Sequence, residues 1–503
     1  MTKKFLRGLI TTIGLVVLLK SNLNLGRFVQ NNNLTPVILA GGQGARLWPM
    51  SNDYFPKQFL RFDQKLSLFQ KTLLRVVAAK NWNLPIILIN KRHYITAMSQ
   101  IDEIGVKYLN TIIEPIGRDT APAIALAAFC ANYFIGRDCT LLIMPTDHII
   151  KNVKLLINKI NKINKTIIKD NIVTFGITPE SANTKYGYIK CNKEISKGVF
   201  KIDSFTEKPS IEVAKKLLKS NKCYWNSGIF LMKSNTYLQE LKKYSSNTYN
   251  YVKIAFERKK NKEKIINIDH EIFEKCEDIS IDKCIMEKNI KGALVSLNLE
   301  WKDLGSWDAV FNISNKDQNN NAITGEVNTS NTENCLIHAE DGVITTLGLK
   351  DQVIVKSQNN ILVAAKDSIE KVKQLALCFK NMSAFPTNIN NPKIIRPWGY
   401  YQTFIKQANF QIKQLVIMPK KKLSLQLHQY RSEYWVVVKG KAKVICGEKK
   451  LKLLPSESIS IPKQTKHSLA NDSKDFLCVI EIQVGHYLEE DDIIRFNNKV
   501  RYC

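Results

Sequence analysis

The chain has 503 residues, 44% apolar and 24% charged, with 74 Lys+Arg against 45 Asp+Glu and a formal net charge of +29. That length allows about two to four domains with sizeable cores, and that apolar share excludes general disorder. Eleven cysteines, an odd number with no CxxC pair or short repeated spacing, argue against a disulfide framework or zinc ribbon and for a reducing compartment.

Lys3, Lys4 and Arg7 precede an uncharged run over residues 8–19. The run is shorter than the ~20 apolar residues of a transmembrane helix, and no small-x-small cleavage site follows it. Residues 1–33 therefore read as an upstream extension, with a membrane-surface tether and an export signal as alternatives. From Pro36 to Ala40 a short apolar run enters a glycine turn, the pattern of a buried parallel strand. Similar runs recur at 86–89, 141–144 and 173–177, separated by helical patterns at 68–79 and 121–134. This alternation predicts an α/β domain over 34–311 with a mostly parallel, Rossmann-like sheet. A polar tract at 314–321 opens a β-rich connector over 312–385, with β-like runs at 342–347, 352–355 and 361–364. After an Asn- and Pro-rich break at 385–392, residues 386–503 carry short strands at 411–418, 434–438, 441–446, 458–461 and 476–482, which suits an all-β barrel or double-sheet roll.

Gly41, Gly42 and Gly44 follow the first strand, where missing Cβ atoms let backbone N–H groups approach a phosphate chain; Arg46 and Lys57 add cations. No Walker A lysine follows, and the spacing is not that of a dinucleotide fold. The loop, Gly-Gly-x-Gly-x-Arg-Leu-Trp-Pro followed by Pro-Lys-Gln-Phe-Leu, resembles that of the sugar nucleotidyltransferases, specifically mannose-1-phosphate guanylyltransferases. Further matches keep their order: residues 114–122 (EPIGRDTAP), 144–148 (MPTDH), 186–189 (YGYI), 205–209 (FTEKP), 225–230 (WNSGIF), 280–287 (SID…ME) and 301–307 (WKDLGSW).

The resemblance implies transfer of GMP from GTP to mannose 1-phosphate, and with it a cytoplasmic location. It implies that Asp147 and Asp303 hold Mg²⁺, and that Arg46 and Lys57 grip the triphosphate. Lys208 would bind the sugar phosphate and Glu207 and Asn226 the sugar hydroxyls, beside Gly187. Two anions meet in this reaction, so charge neutralisation and alignment should supply most of the rate. The sequence departs from the family at Ala45, Asn52 and Lys185, leaving the phosphate cations intact.

In the C-terminal part Gln426 and His428 share one strand face, and Glu433 and His467 complete a set suited to a divalent transition metal such as Zn²⁺ or Co²⁺. The spacing resembles the two cupin motifs. Together with 396–399 (RPWG), 423–426 (LSLQ) and 487–493 (YLEEDDI), it resembles type II phosphomannose isomerase. That resemblance implies interconversion of fructose 6-phosphate and mannose 6-phosphate, with Arg431 as a candidate substrate contact. The sequence departs from it at 429–430 (QY), Tyr434, Ser468 and the ending 497–503. A guanylyltransferase with a merely structural or dimerising barrel is the alternative, and a homo-oligomer, a dimer, is expected. A basic nucleic-acid-binding protein is a distant third reading. It predicts clustered cations with interleaved aromatics, whereas the basic residues recur along stretches such as 151–169 and 215–222 without them.

Overall fold

The computed structural model describes residues 34–42, 46–52, 55–62, 65–136, 138–163, 165–220, 222–262, 264–288, 292–357, 360–381, 394–396, 398–489 and 492–496. The extension 1–33, Gly44, the break at 385–392 and the ending 497–503 lie outside the described residues.

The N-terminal strands are β1 (Leu34–Ala40), β2 (Ile86–Asn90), β3 (Asn110–Glu114), β4 (Thr140–Pro145), β5 (His148–Ile150), β6 (Val173–Ile177), β7 (Tyr188–Ser196), β8 (Val199–Thr206), β9 (Cys223–Lys233), β10 (Lys260–Lys262), β11 (Ile265–Asn267), β12 (Ala293–Leu297) and β13 (Trp301–Asp303). All but β5 and β13 join one sheet in the order β10-β11-β3-β2-β1-β4-β9-β6-β12-β8-β7. The expected parallel pairing holds for β1 with β2 and β4, and for β2 with β3. Beyond β4 the sheet is mixed, because β9 runs antiparallel to β4, β6 and β7. The hairpin β7–β8 also forces antiparallel pairing. Ser196 faces Val199 across a two-residue turn, and Gly198 takes φ 73° there, a left-handed conformation such turns require.

Helices cover the sheet. The helix Leu68–Val77 starts where Ser67 and Gln70 form a reciprocal capping box, which satisfies two otherwise orphaned backbone donors. The helix Thr120–Phe134 is rich in buried alanine. It packs between the sheet and the helices Ser234–Tyr244 and Ser246–Glu257. β1 is apolar on both faces because both sheet faces are covered.

The connector forms a small coil of β14 (Ala322–Ser330), β15 (Leu336–Leu347), β16 (Gln352–Ser357) and β17 (Asn360–Ala365). The first three pair in parallel despite short links, so the chain winds as a solenoid. Gly325 allows this: a Cβ there would stand 2.0 Å from the Ala339 carbonyl oxygen.

The C-terminal strands are β18 (Ile394–Arg396), β19 (Gly399–Lys406), β20 (Phe410–Ile417), β21 (Leu425–His428), β22 (Arg431–Lys439), β23 (Ala442–Cys446), β24 (Lys449–Leu453), β25 (Ser458–Ile461), β26 (His467–Ala470), β27 (Leu477–Gly485) and β28 (Ile493–Phe496). They make two sheets, β18-β19-β20-β27-β22-β25 and β24-β23-β26-β21-β28, around a core that includes Trp435, Val437, Leu469 and Val479. This is the expected cupin roll. Ile95 packs with Tyr400 and Val416 where the roll meets the α/β part. Among the described residues no helix is long and apolar enough to cross a membrane.

Candidate active site and candidate metal centre

The carboxyl ends of β1, β3 and β4 and the amino-terminal half of the antiparallel β9 open onto one cavity of about 370 Å³, lined by Gly41, Gly42, Lys57, Glu114, Asp147, Gly187, Glu207, Lys208, Asn226, Asp282 and Asp303 among others. Residues as far apart in sequence as Gly41 and Asp303 thus meet, where parallel sheets gather their ligands. Gln58 fixes the glycine turn by donating from Nε2 to the carbonyls of Ala40 (3.0 Å) and Gly42 (3.1 Å). Arg46 faces the neighbouring cleft beyond Asp303, in a second cavity of about 980 Å³.

Asp147 lies two residues past β4, and Asp303 ends β13, which pairs with β5 so that Asp303 faces His148. Lys57 Nζ sits between the carboxylates, 2.7 Å from Asp147 Oδ2 and 3.4 Å from Asp303 Oδ1. Burial alone would lower the Lys57 pKa, but the two carboxylates outweigh it and hold it above its usual value. Burial likewise works to raise the Asp147 pKa, yet Lys57 and His148 keep that carboxyl below its ordinary range. Asp147, His148 and Asp303 offer ligand atoms within 4.8 Å of one another. The carboxylate pair fits a hard divalent cation: it already holds a positive charge, and oxygen donors are what Mg²⁺ takes.

On the far side of the cavity Gly187 and Glu207 meet so closely that a Cβ on Gly187 would stand 2.5 Å from Glu207 Oε2. Lys208 Nζ pairs with Glu207 Oε1 at 2.6 Å. Asn226 Oδ1 accepts from Thr174 Oγ1 (3.0 Å) and the Gly228 amide (3.1 Å), while its Nδ2 donates to Asp282 Oδ1 (2.8 Å). One N–H of Asn226 therefore remains for a ligand, which it meets as a donor. Tyr186, Trp225, Trp301 and His148 form an aromatic wall with ring centroids 5.0–5.3 Å apart.

Among the cavity residues that lie inside the sequence motifs without an assigned role are Glu114 and Asp282. Glu114 is 4% exposed, and burial pushes its carboxyl up to about 8. Burial, then the nearby Glu207, pushes Asp282 up to about 7. Both stand in motifs that carried the resemblance, but only burial marks them as unusual, and neither Glu114 at its strand end nor Asp282 at the start of a helical turn gives a sign of that in sequence.

In the roll, Gln426 pairs with His467 across β21 and β26. His428 Nε2 lies 2.9 Å and His467 Nε2 3.5 Å from the two oxygens of Glu433, all three residues being 2% exposed or less. His467 Nδ1 sits 2.8 Å from the Thr465 carbonyl. That contact makes Nδ1 the donor and leaves Nε2 as a lone pair, the arrangement of a metal-binding histidine. Buried His428 Nδ1 and His467 Nε2 lack hydrogen-bond partners among the described residues, and His428 Nε2, though 2.9 Å from Glu433, makes no well-directed hydrogen bond. Orphaned nitrogens converging on a carboxylate fit a borderline transition metal. Burial raises the Glu433 pKa, but His428 and then His467 and Arg431 bring it down to about 2.

The floor beneath this set is polar in a way the strand pattern did not reveal. Cross-strand rows place Lys413 opposite Glu481, Glu481 opposite Trp435, and Gln483 opposite Glu433. Trp435 Nε1 donates to Glu433 Oε2 (3.2 Å) and Glu481 Oε1 (3.1 Å), and Gln483 Nε2 to Glu433 Oε1 (2.9 Å) and Glu481 Oε2 (2.8 Å). Burial and the charge of Glu433 push Glu481 up to about 8. Arg431 lines the same cavity, but it is 1% exposed, with NH1 donating to the Glu489 carbonyl at 2.8 Å and lying 3.7 Å from Asp492.

The nucleotidyl transferase family matches residues 35–320, the MannoseP isomerase/GMP-like beta-helix domain residues 325–376, and the mannose-6-phosphate isomerase C-terminal family residues 354–498. The chain is 37% identical over 467 residues to the alginate biosynthesis protein AlgA of Pseudomonas aeruginosa, covering 92% of this chain and 96% of that protein. It is 37% identical over 475 residues to a mannose-1-phosphate guanylyltransferase of Salmonella montevideo, covering 93% and 99%. A solved Thermus thermophilus structure, described as a mannose-1-phosphate geranyltransferase, shares the fold with a TM-score of 0.61 and 24% identity, covering 69% of this chain and 99% of the other. The relatives span nearly the whole of both chains, so this protein belongs to the mannose-1-phosphate guanylyltransferase family, with a nucleotidyl transferase domain followed by a mannose-6-phosphate isomerase-type C-terminal domain.

Proposed function

We propose that the protein transfers GMP from GTP to α-D-mannose 1-phosphate, giving GDP-mannose and pyrophosphate. The observation that carries this reading is the facing pair Asp147 and Asp303 around Lys57, in one cavity with Glu207, Lys208 and Asn226. An oxygen of the sugar phosphate attacks the α-phosphorus in line, and the bond from that phosphorus to the bridging oxygen of the departing pyrophosphate breaks. Mg²⁺ on Asp147 and Asp303 would neutralise phosphate oxygens while both reactants are held. Gly41 and Gly42 let the phosphate chain lie against backbone, and Lys57 supplies the cation nearest the reacting group. Arg46, in the cleft beyond Asp303, would take the pyrophosphate end. Lys208 answers the sugar phosphate, and Glu207 and Asn226 orient the ring through an acceptor and a donor. Asp147→Asn and Asp303→Asn should each abolish Mg²⁺-dependent pyrophosphate release from GTP and mannose 1-phosphate; near-normal turnover in both would refute the assignment.

The roll supports a second reading, interconversion of fructose 6-phosphate and mannose 6-phosphate. The orphaned nitrogens of His428 and His467 around Glu433 favour it over a purely structural barrel. Zn²⁺ or Co²⁺ held there with Gln426 would polarise the sugar's oxygen atoms while a proton moves between C1 and C2. Fructose 6-phosphate conversion with added Zn²⁺ or Co²⁺, lost in His428→Ala and Glu433→Ala, is the outcome that fits. No conversion with any divalent metal would leave the barrel a structural role.

A further inference from the structure

The cleft that holds Arg46 is walled on one side by the α/β part and on the other by Ile369, Glu370 and Lys373 at the end of the connector. Lys185 and Lys208 line both this cleft and the cavity of Asp147 and Asp303. Lys208 pairs with Glu207, within the sugar side of that cavity. Lys185 instead reaches across to the connector, its Nζ 2.5 Å from Glu370 Oε1. It is also one of the positions at which the sequence departs from the family, so it is a cation that the resemblance does not supply.

Both members of this pair stand on fixed backbone. The Lys185 amide donates to Asn183 Oδ1 (2.9 Å), and the Asn183 amide to the Tyr188 hydroxyl (2.8 Å). Tyr186 packs between Trp225 and Trp301. Glu370 belongs to the helical turn Lys366–Lys371, whose Ile369 is buried in the core that holds Trp307. What remains free to move is the flexible four-carbon stem of Lys185. Its present hold is weak, because the side chains of Lys185 and Glu370 are 39% and 63% exposed and solvent screens such pairs. Asp308, in the same cleft, also feels Lys185, but burial is the larger influence and keeps its carboxyl above its usual value. A phosphate monoester carries about two negative charges at neutral pH, against one on Glu370, so it draws the ammonium more strongly.

We propose that Lys185 is a second cation for the phosphate of the sugar 1-phosphate, held by Glu370 of the connector until that phosphate enters beside Lys208. This deepens the guanylyltransferase reading and rests on it. The connector then does more than join two domains: its carboxylate competes with the substrate for one lysine and thereby sets how tightly the sugar phosphate is held. Neutralising the two partners must act in opposite directions, which a merely bracing ion pair would not do.

The test is steady-state pyrophosphate release by the full-length protein, wild type, Lys185→Gln, Glu370→Gln and the double variant, with GTP and mannose 1-phosphate varied separately. Lys185→Gln should raise the KM for mannose 1-phosphate about tenfold, the effect of losing one charge-assisted contact, and leave the KM for GTP nearly unchanged. Glu370→Gln should lower the KM for mannose 1-phosphate by about two- to fivefold, the range of an exposed ion pair. The double variant should match Lys185→Gln, because Glu370 acts only through Lys185. An unchanged KM in Lys185→Gln overturns the proposal. So does a KM that rises in Glu370→Gln as it does in Lys185→Gln, which would make the pair a brace, or a rise in the KM for GTP alone, which would place Lys185 on the nucleotide. Calorimetric titration of the same proteins with mannose 1-phosphate separates this proposal from the reading beneath it. Weaker binding in Lys185→Gln without GMP transfer in the wild type keeps the lysine contact and removes the transferase reading; transfer with equal binding in all four proteins keeps the transferase and removes the contact.

Discussion

Lys57 Nζ lies 2.7 Å from Asp147 Oδ2, so an ammonium holds the carboxylate that the proposed metal needs. The same ammonium reaches Asp303 at 3.4 Å. Lysine and metal thus compete for one pair of oxygens, and loading the metal must release Lys57 toward the phosphates. Lys57→Ala should raise the affinity of the nucleotide-free protein for Mn²⁺ by about tenfold or more, since it leaves two part-buried carboxylates without a counter-charge. GMP transfer should fall in the same variant. Electron paramagnetic resonance of free Mn²⁺, in a His428→Ala background that removes the barrel site, would measure the first effect. Unchanged Mn²⁺ affinity would mean that Lys57 does not stand in the metal's place.

Gly187 leaves no room for a side chain against Glu207, whose Oε2 would lie 2.5 Å from an added Cβ. Gly187→Ala must push the Glu207 carboxylate aside, and with it the ion pair to Lys208. Both residues belong to the sugar side of the cavity. The KM for mannose 1-phosphate should therefore rise about tenfold, a loss of about 1.4 kcal/mol, while the KM for GTP changes little. Steady-state kinetics with each substrate varied separately distinguishes this from a general loss of activity.

Asp282 offers a pH test. Its carboxyl is pushed from 3.8 up to about 7 by burial first and Glu207 second. Between those values the folded protein keeps a proton that the unfolded chain has released. Stability contributed by the protonated form is therefore complete below about 4 and declines as pH rises to about 7. Asp282→Asn keeps an oxygen to accept from Asn226 Nδ2 and removes the titration. The wild type should lose more stability than the variant between pH 5 and pH 8, by an amount on the order of a few kcal/mol. Thermal melts of both proteins at the two pH values would show the difference, and parallel shifts would refute it.

Much of this architecture could be read from order and pattern. The run ending at Ala40, the helix after Ser67 and the strand ending at Ile461 fall close to where apolar runs, helical periodicity and alternation place them. Gly41, Lys57, Asp147, Glu207, Asn226 and Asp303 do line one cavity. Other features were out of reach because they depend on tertiary pairing. The reversal of direction at β9 is decided by which strands it separates, not by its own residues. Lys413, Glu481 and Gln483 sit on strands whose apolar runs masked an inward polar row, visible only once β20, β27 and β22 are in register. Arg431 looked like a contact residue by position. It lines the cavity of the roll, with Nη1 donating to the Glu489 carbonyl and lying near Asp492, partners that position alone does not reveal.

That polar row makes the final prediction. Trp435 is fully buried, and its single N–H bridges Glu433 and Glu481. Trp435→Phe keeps most of the apolar contact but leaves two buried carboxyl oxygens short of a donor. Each such loss costs about 1–3 kcal/mol, and the smaller ring adds a cavity term. The melting transition of the roll should move down by several degrees. GMP transfer at 25 °C should be preserved, because the cavity around Asp147 and Asp303 draws no residue from the roll. Differential scanning calorimetry beside a pyrophosphate-release assay would separate the two outcomes. A matching loss of GMP transfer would instead mean that the packing of Ile95 on Tyr400 and Val416 carries the state of the roll into the α/β part.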